Sequence, residues 1–378
     1  MALTHNENGT DRPSTPYWRI DPEMMADPGK LREGLKEAAD ALRGGGVIAF
    51  PTETVYGLGA DARLTSAVEA VFAAKGRPSD NPLIVHISEV SQLDGLVKQV
   101  NPAARKLMDA FWPGPLTVVL PVKPGVLSHR VTAGLDTVGI RMPDHPVALA
   151  LIEASGCPVA APSANRSGRP SPTLASHVLE DLAGSIDGIV DGGATGVGLE
   201  STVVQVLDDG SVTVLRPGGV TLEQLAQVAG APVKMDPALM AEAGSGDIPA
   251  PRAPGMKYTH YAPQGTLSIV AGESAAEVSD WISRSLQEAE ARGERTGVLA
   301  FDEHISRYHA DCVETLGSLS DLGTAAHRLY AALRRMDEEH IDFILAEACP
   351  EDGLGAAIMN RLRKAAGQTV IRLESQAR

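Results

Sequence analysis

Only three cysteines occur in the 378 residues, Cys157, Cys312 and Cys349, far apart and never paired as C-x-x-C. An odd, scattered set offers neither a disulfide framework nor a zinc ribbon, and it suits a reducing compartment, so a cytoplasmic location is expected. Aromatic residues are scarce at 4%, which leaves a base-stacking platform for RNA poorly supplied. Positive charge is also short: the formal net charge is −15, which argues against a broad phosphate-neutralising surface while leaving room for a local basic pocket. No apolar run approaches the ~18–20 residues of a membrane helix. The polar opening Met-Ala-Leu-Thr-His-Asn-Glu-Asn shows no basic-then-apolar signal pattern. Familiar chemical fingerprints are missing as well. There is no G-x-x-x-x-G-K-[ST], no G-x-G-x-x-G after a strand, no H-E-x-x-H and no G-x-S-x-G. The ten histidines are scattered, and no protein-built metal cage is predicted.

What is present is a globular composition, 43% hydrophobic and 21% charged, in a chain long enough for two domains. Residues 1–18 read as a loose polar extension. Leu31, Leu35, Ala38 and Leu42 recur at helical spacing. Ser66 and Glu69 suggest a capping box for the helix carrying Val68, Val71 and Phe72. Asn101-Pro102 predicts a capped helix start, and Asp208-Asp209-Gly210 a hairpin turn. The spacing predicts a domain over 28–230, a linker over 231–263 and a second domain over 264–378. In the second, strands near 266–270, 297–301, 341–346 and 369–373 alternate with helices, which predicts a smaller Rossmann-like parallel α/β domain.

Candidate chemistry sits in loops at strand ends. Lys75 and Arg77 flank Gly76, and an extended segment would point both cations the same way, toward an anion such as a polyphosphate. A basic helix C-terminus reads equally well from those residues alone. The neighbouring loops add Thr52, Thr54, Asn81, His86, Thr137, Arg141, Ser163, Asn165, Ser201 and Arg216. Together they supply cations, hydroxyls and amides but no nucleophile and no evident acid–base pair. That inventory fits a reaction whose substrates bring the chemistry while the protein positions them and stabilises charge.

Several motifs then converge: Pro51-Thr-Glu-Thr-Val-Tyr-Gly-Leu-Gly59, Lys75-Gly-Arg-Pro78, Asn81-Pro-Leu-Ile-Val-His86, Trp112-Pro-Gly-Pro-Leu-Thr117, Pro162-Ser-Ala-Asn165, Leu199-Glu-Ser-Thr202 and Arg216-Pro-Gly218. In this order they resemble the YrdC-like domain, an α/β fold with a twisted mixed sheet and flanking helices. Ala253-Pro-Gly-Met-Lys-Tyr-Thr-His-Tyr-Ala-Pro263 and Ile358-Met-Asn-Arg-Leu-Arg-Lys364 resemble the long two-domain form of the threonylcarbamoyl-AMP synthase family. The resemblance implies synthesis of threonylcarbamoyl-adenylate and pyrophosphate from L-threonine, bicarbonate or CO₂, and ATP. The product would be passed to the machinery that transfers the threonylcarbamoyl group to tRNA. Magnesium is expected with ATP.

By this resemblance Lys75, Arg77, Ser163 and Asn165 face the nucleotide phosphates. Arg77, Asn81, Thr137, Ser163, Ser171, Arg216 and a linker tyrosine, Tyr258 or Tyr261, are expected ATP contacts. Thr54, His86, Arg141, Ala161 and Ser201 are expected threonine contacts. The linker tyrosines further suggest a lid over the nucleotide, with a packed strap between domains as the alternative. Two rivals remain open here. An RNA-binding YrdC-like module without catalysis is disfavoured by the acidic total and sparse aromatics. A carbamoyltransferase of the hydrogenase-maturation type would need zinc-finger cysteines that the chain lacks.

Overall fold

The computed structural model describes residues 14–78, 81–239 and 261–373. An 11-stranded mixed sheet runs, from edge to edge, through Tyr17–Arg19, Gly188–Asp191, Ile48–Phe50, Gly57–Asp61, Val159–Ala160, Ile84–His86, Thr137–Arg141, Leu116–Pro121, Thr202–Val206, Val212–Arg216 and Val233–Met235. Parallel and antiparallel pairs alternate irregularly along it, so this is a mixed sheet as expected. Helix Pro28–Arg43 begins at Asp27, whose carboxylate accepts from the Gly29 and Lys30 amides. It buries Leu31, Leu35, Ala38 and Leu42, the residues its periodicity singles out, in a core shared with helix Pro146–Ser155 and strand Ile48–Phe50. Asn101 caps helix Pro102–Phe111, its side chain accepting from the Ala104 amide at 2.7 Å.

The structure departs from the sequence expectations at several places. Tyr17–Arg19 is not a loose extension. It pairs parallel with Gly188–Asp191, and the Tyr17 hydroxyl donates to Asp191 at 2.6 Å. Val233–Met235, inside the expected linker, pairs parallel with Val212–Arg216, so this sheet reaches past residues 28 and 230 on both sides. Both strands are three residues long, too short for an alternation to register. The capping box is absent: helix Thr65–Lys75 starts after Leu64, and no side chain caps it. Strand Cys312–Gly317 went unforeseen, because only a short 3₁₀ turn separates it from Thr296–Phe301 and the β-α-β rhythm is broken there.

The second sheet is wholly parallel, in the order Cys312–Gly317, Thr296–Phe301, Phe343–Glu347, Thr266–Ala271, Val370–Arg372, with helices Ala275–Ala291, Leu322–Glu338 and Gly355–Ala365 around it. Its core does not end at its own boundary. Val55 and Leu199 from the first unit pack in the same apolar cluster as Leu329, Tyr330, Ala357 and Ile358. Arg334 pins the junction. Its guanidinium is buried against Asp181 at 2.8 Å and donates to the Pro170 carbonyl at 2.7 Å, while Arg169 meets the same Asp181 at 2.5 Å. Truncating Arg334 to alanine is expected to lower unfolding stability by about 3–5 kcal/mol, because Asp181 keeps its charge and loses its best-buried partner. A denaturant midpoint close to wild type would show that the junction does not depend on this pair. Among the described residues, no helix is long and apolar enough to cross a membrane.

Candidate functional site

Strand ends of the large sheet converge on one cavity. Ile84–His86 and Thr137–Arg141 run parallel with His86 directly beside Arg141, so both side chains leave the same face. Both are buried. Arg141 donates to Thr54 Oγ1 at 2.9 Å and to the Gly114 carbonyl at 3.3 Å, and Glu53 Oε1 lies 2.6 Å from its Nη2. A guanidinium can only donate, which orients the hydroxyls behind it. Thr54 accepts from Arg141 and passes its own proton to Thr52 Oγ1 at 2.8 Å, and Thr52 donates to the Val55 carbonyl at 2.7 Å. The relay fixes the Thr52–Val55 loop against Arg141 at one end of the cavity. Burial, reinforced by the Arg141 charge, pushes His86 down to about 3, so its imidazole is neutral. Among the described residues, the Nδ1 atom of His86 has no hydrogen-bond partner.

Across the cavity, Lys75 is the last residue of helix Thr65–Lys75, and Gly76 turns the chain left-handed at φ 60°. The amides of Gly76 and Arg77 return to the Ala73 and Phe72 carbonyls and close the helix. The premise that residues 75–77 form an extended segment is therefore incorrect. Lys75 and Arg77 nevertheless line the same cavity, brought there by the helix-ending turn. The Lys75 ammonium donates to the Ser163 carbonyl, to the Asn165 carbonyl at 2.6 Å and to Asn165 Oδ1 at 3.3 Å. Burial, with Arg77 nearby, pushes its pKa well down. Three converging oxygens still favour the charged form, so Lys75 serves as the tie that shapes the Ser163–Asn165 loop. Ser163 Oγ donates to Asn165 Oδ1 at 2.6 Å. Arg77 lies 6.0 Å from the centre of the Phe72 ring, a cation–π contact that steadies its stem.

The third wall is built on Glu200, Ser201 and Arg216. The Arg216 Nε and Nη2 donate to the carbonyl and hydroxyl of Ser201, both at 3.1 Å. Glu200 is buried, yet Arg361, Arg216 and the hydroxyls of Ser171 and Tyr330 overcome burial and hold its carboxyl down at about 2. Lys364, close to Arg361 and Arg216, is pushed down to about 7 by burial and by those two charges. A chain of net charge −15 thus concentrates cations around one cleft.

Of the residues singled out from sequence, Thr54, Lys75, Arg77, His86, Arg141 and Ala161 line this cavity. Ser163, Asn165, Ser201, Arg216 and Tyr261 line it too. Asn81, Thr137 and Ser171 do not line it directly. Asn81 is buried, with no hydrogen-bond partner for either amide atom among the described residues, and Ser171 donates to Glu200 at 2.6 Å. Thr137 sits four residues from Arg141 on the same strand face. Tyr258 and the rest of the expected lid up to residue 260 lie outside the described residues, so the lid over the nucleotide is not seen, while Tyr261 of the same segment is described. Sequence reasoning missed Glu53 and Glu200. Both stand inside quoted motifs, but a carboxylate draws no attention in a search for groups that bind anions.

Two linked groups make acid a specific stress. His86 and His177 are held at about 3 and about 4, below the ordinary 6.5, so they stay neutral in the fold while the unfolded chain takes up protons. Stability is therefore expected to fall as pH drops below 6.5, and again from 4.5 toward 2 as Glu200 loses its charge. Denaturant midpoints at a series of pH values would check this, and a flat profile between pH 6.5 and 4 would contradict it.

Comparisons with known proteins place the chain among its relatives. The family model described as "Telomere recombination" matches residues 40–218, and "Threonylcarbamoyl-AMP synthase, C-terminal domain" matches residues 220–367. The chain is 55% identical to a threonylcarbamoyl-AMP synthase of Bacillus subtilis over 89% of its length and 94% of that protein's. It is 46% identical to one of Pyrococcus abyssi over 91% of its length and 98% of that protein's. A crystal structure described as P. abyssi Sua5 complexed with L-threonine superposes with a TM-score of 0.87 at 44% identity, covering 95% of this chain and all of the other. The fold is that of a two-domain YrdC-like protein. The chain belongs to the threonylcarbamoyl-AMP synthase family, in its long form.

Proposed function

We propose that the cavity joins L-threonine, CO₂ or bicarbonate, and ATP into threonylcarbamoyl-adenylate, with release of pyrophosphate, as a nucleotidyltransferase. The observation that carries this reading is the pairing of two different anion sites across one cavity. One is the Arg141 corner with its Thr54 partner, and the other is the loop that Lys75 ties at Ser163 and Asn165 beside Arg77. Thr54, His86, Arg141, Ala161 and Ser201 take threonine. Arg141 pairs with its carboxylate, and the neutral His86 offers a hydrogen bond without adding charge. Arg77, Asn81, Thr137, Ser163, Ser171, Arg216 and Tyr261 take ATP.

The neutral amine of threonine attacks the carbon of CO₂, one C=O π pair moves onto oxygen, and an amine proton is released to solvent, which leaves a carbamate. A carbamate oxygen then attacks the α-phosphorus, the bond from that phosphorus to the bridging oxygen breaks, and pyrophosphate leaves. Arg77 and the fixed loop stabilise the charge that builds on the phosphoryl oxygens. Ser163 and Asn165 put neutral oxygens on the cavity wall, the Asn165 Oδ1 already accepting from Ser163 and Lys75. That donor set fits a magnesium carried on the phosphates of ATP beside Ser163 and Asn165, where the ion would draw charge off the phosphoryl oxygens.

The product is a mixed anhydride that a group-transfer enzyme must consume, and tRNA threonylcarbamoylation machinery in the cytoplasm is the proposed recipient. Mass spectrometry of the products from threonine, bicarbonate and ATP tests the reading directly. Pyrophosphate release must require both threonine and bicarbonate, and release independent of either would overturn it. A steep salt dependence of tRNA affinity with no turnover would favour the RNA-binding alternative.

A further inference from the structure

The motif Ile358–Lys364 lies in the second unit, outside the substrate contacts assigned above, yet its Arg361 touches Glu200, a residue that lines the cavity. Arg361, fully buried, donates through Nε to Glu200 at 3.1 Å and through Nη1 to the Pro217 carbonyl at 2.6 Å. Tyr330, also fully buried, donates to the same carboxylate, with its hydroxyl 2.7 and 3.0 Å from the two oxygens. From the first unit, Ser171 donates to Glu200 at 2.6 Å. The fit is close at backbone level as well. A Cβ on Gly198 would stand 2.5 Å from the Ala326 carbonyl oxygen and the His327 Cα, so this glycine lets helix Leu322–Glu338 rest directly on the loop before Glu200. His327 Nδ1 meets the Gly196 carbonyl there at 3.1 Å.

We propose that Tyr330 and Arg361 of the second unit are positioning residues for the nucleotide end of the cavity, acting through Glu200 on Ser171 and Arg216. This rests on the assignment of Ser171 and Arg216 to ATP. Glu200 lines the cavity beside Arg216, and the two attract each other. Without Arg361, the buried carboxylate would claim the Arg216 guanidinium. With Arg361 and Tyr330 filling its lone pairs, Arg216 is held on Ser201 instead, facing the cavity. Tyr261 extends the same wall, its ring centre 5.1 Å from that of Tyr330. A buried ion pair adds little net stability over apolar packing, because desolvation offsets the attraction, so its particular contribution here is fixed geometry.

The test uses the full chain with four changes: Tyr330→Phe, Arg361→Lys, Arg361→Met, and the pair Glu200→Gln with Arg361→Met. Melting temperature, the KM values for ATP and threonine, and calorimetric ATP affinity are read for each. Arg361→Met is expected to raise the ATP KM by about tenfold or more and to leave the threonine KM within about twofold, with Arg361→Lys recovering part of the loss. Tyr330→Phe should shift the ATP KM in the same direction by less. Removing both charges in the paired variant should restore the melting temperature but not the ATP KM. Recovery of both together would reduce the contact to domain adhesion and overturn the proposal, as would parallel rises in both KM values. If the wild type makes no threonylcarbamoyl-adenylate, the proposed reaction fails separately. Calorimetric ATP affinity of wild type against the paired variant then still decides this inference, with equal affinities overturning it.

Discussion

Exchange of Lys75 for methionine is expected to lower kcat/KM by about a hundredfold or more while threonine still binds. The ammonium is the hub of the Ser163–Asn165 loop, with three oxygens converging on one nitrogen. Methionine fills most of the volume but donates nothing, so two buried carbonyls lose their partner and the loop must move to find others. Leaving buried acceptors unpaired costs about 1–3 kcal/mol each, and a loop displaced by about 1 Å misplaces the phosphates it cradles. Lys75→Arg should not rescue activity, because a planar fork cannot replace a compact ammonium at the focus of three acceptors. Arg77→Ala should lower turnover by about ten- to hundredfold, since it removes a charge that lines the cavity, and should leave in place the loop that Lys75 ties. Pyrophosphate release and threonine titration calorimetry separate the cases. Near-normal turnover of Lys75→Met would remove the loop from the mechanism.

Local rules made much of the fold legible. The stripe Leu31, Leu35, Ala38 and Leu42 is buried along one helix, Asn101 caps the next, and Asp208-Asp209-Gly210 turns between antiparallel strands Thr202–Val206 and Val212–Arg216. The reading failed where a strand was too short to show a period, as at Tyr17–Arg19, or where no helix preceded it, as at Cys312–Gly317. At the site, residue types pointed to anions because cations and hydroxyls cluster in strand-end loops. Composition could not show that Lys75 is turned inward to hold a loop, which depends on the left-handed Gly76. Nor could it show Glu53 against Arg141 or Arg361 against Glu200, since buried carboxylates declare themselves only through partners distant in sequence.

Arg141→Ala is expected to raise the threonine KM by about ten- to hundredfold and the ATP KM far less, because a charge-assisted hydrogen bond to a carboxylate is worth about 1.5–3 kcal/mol. Arg141 also organises its surroundings. Its removal frees Thr54 to rotate and leaves Glu53, side chain 12% exposed, without its 2.6 Å partner. An affinity loss alone would not separate a lost substrate contact from this loosening of the Thr52–Val55 loop. L-threoninol, which keeps the amine and both carbons of the side chain but lacks the carboxylate, makes the separation. The wild type should discriminate strongly between threonine and threoninol as a ligand competing for the site. Arg141→Ala should discriminate weakly, since its missing contact is the one threoninol cannot make. Glu53→Gln, which keeps Arg141 in place with a neutral neighbour, should preserve the discrimination. If Arg141→Ala still prefers threonine over threoninol as strongly as the wild type does, the carboxylate is read elsewhere, and Arg141 holds the Thr52–Val55 loop without touching the substrate.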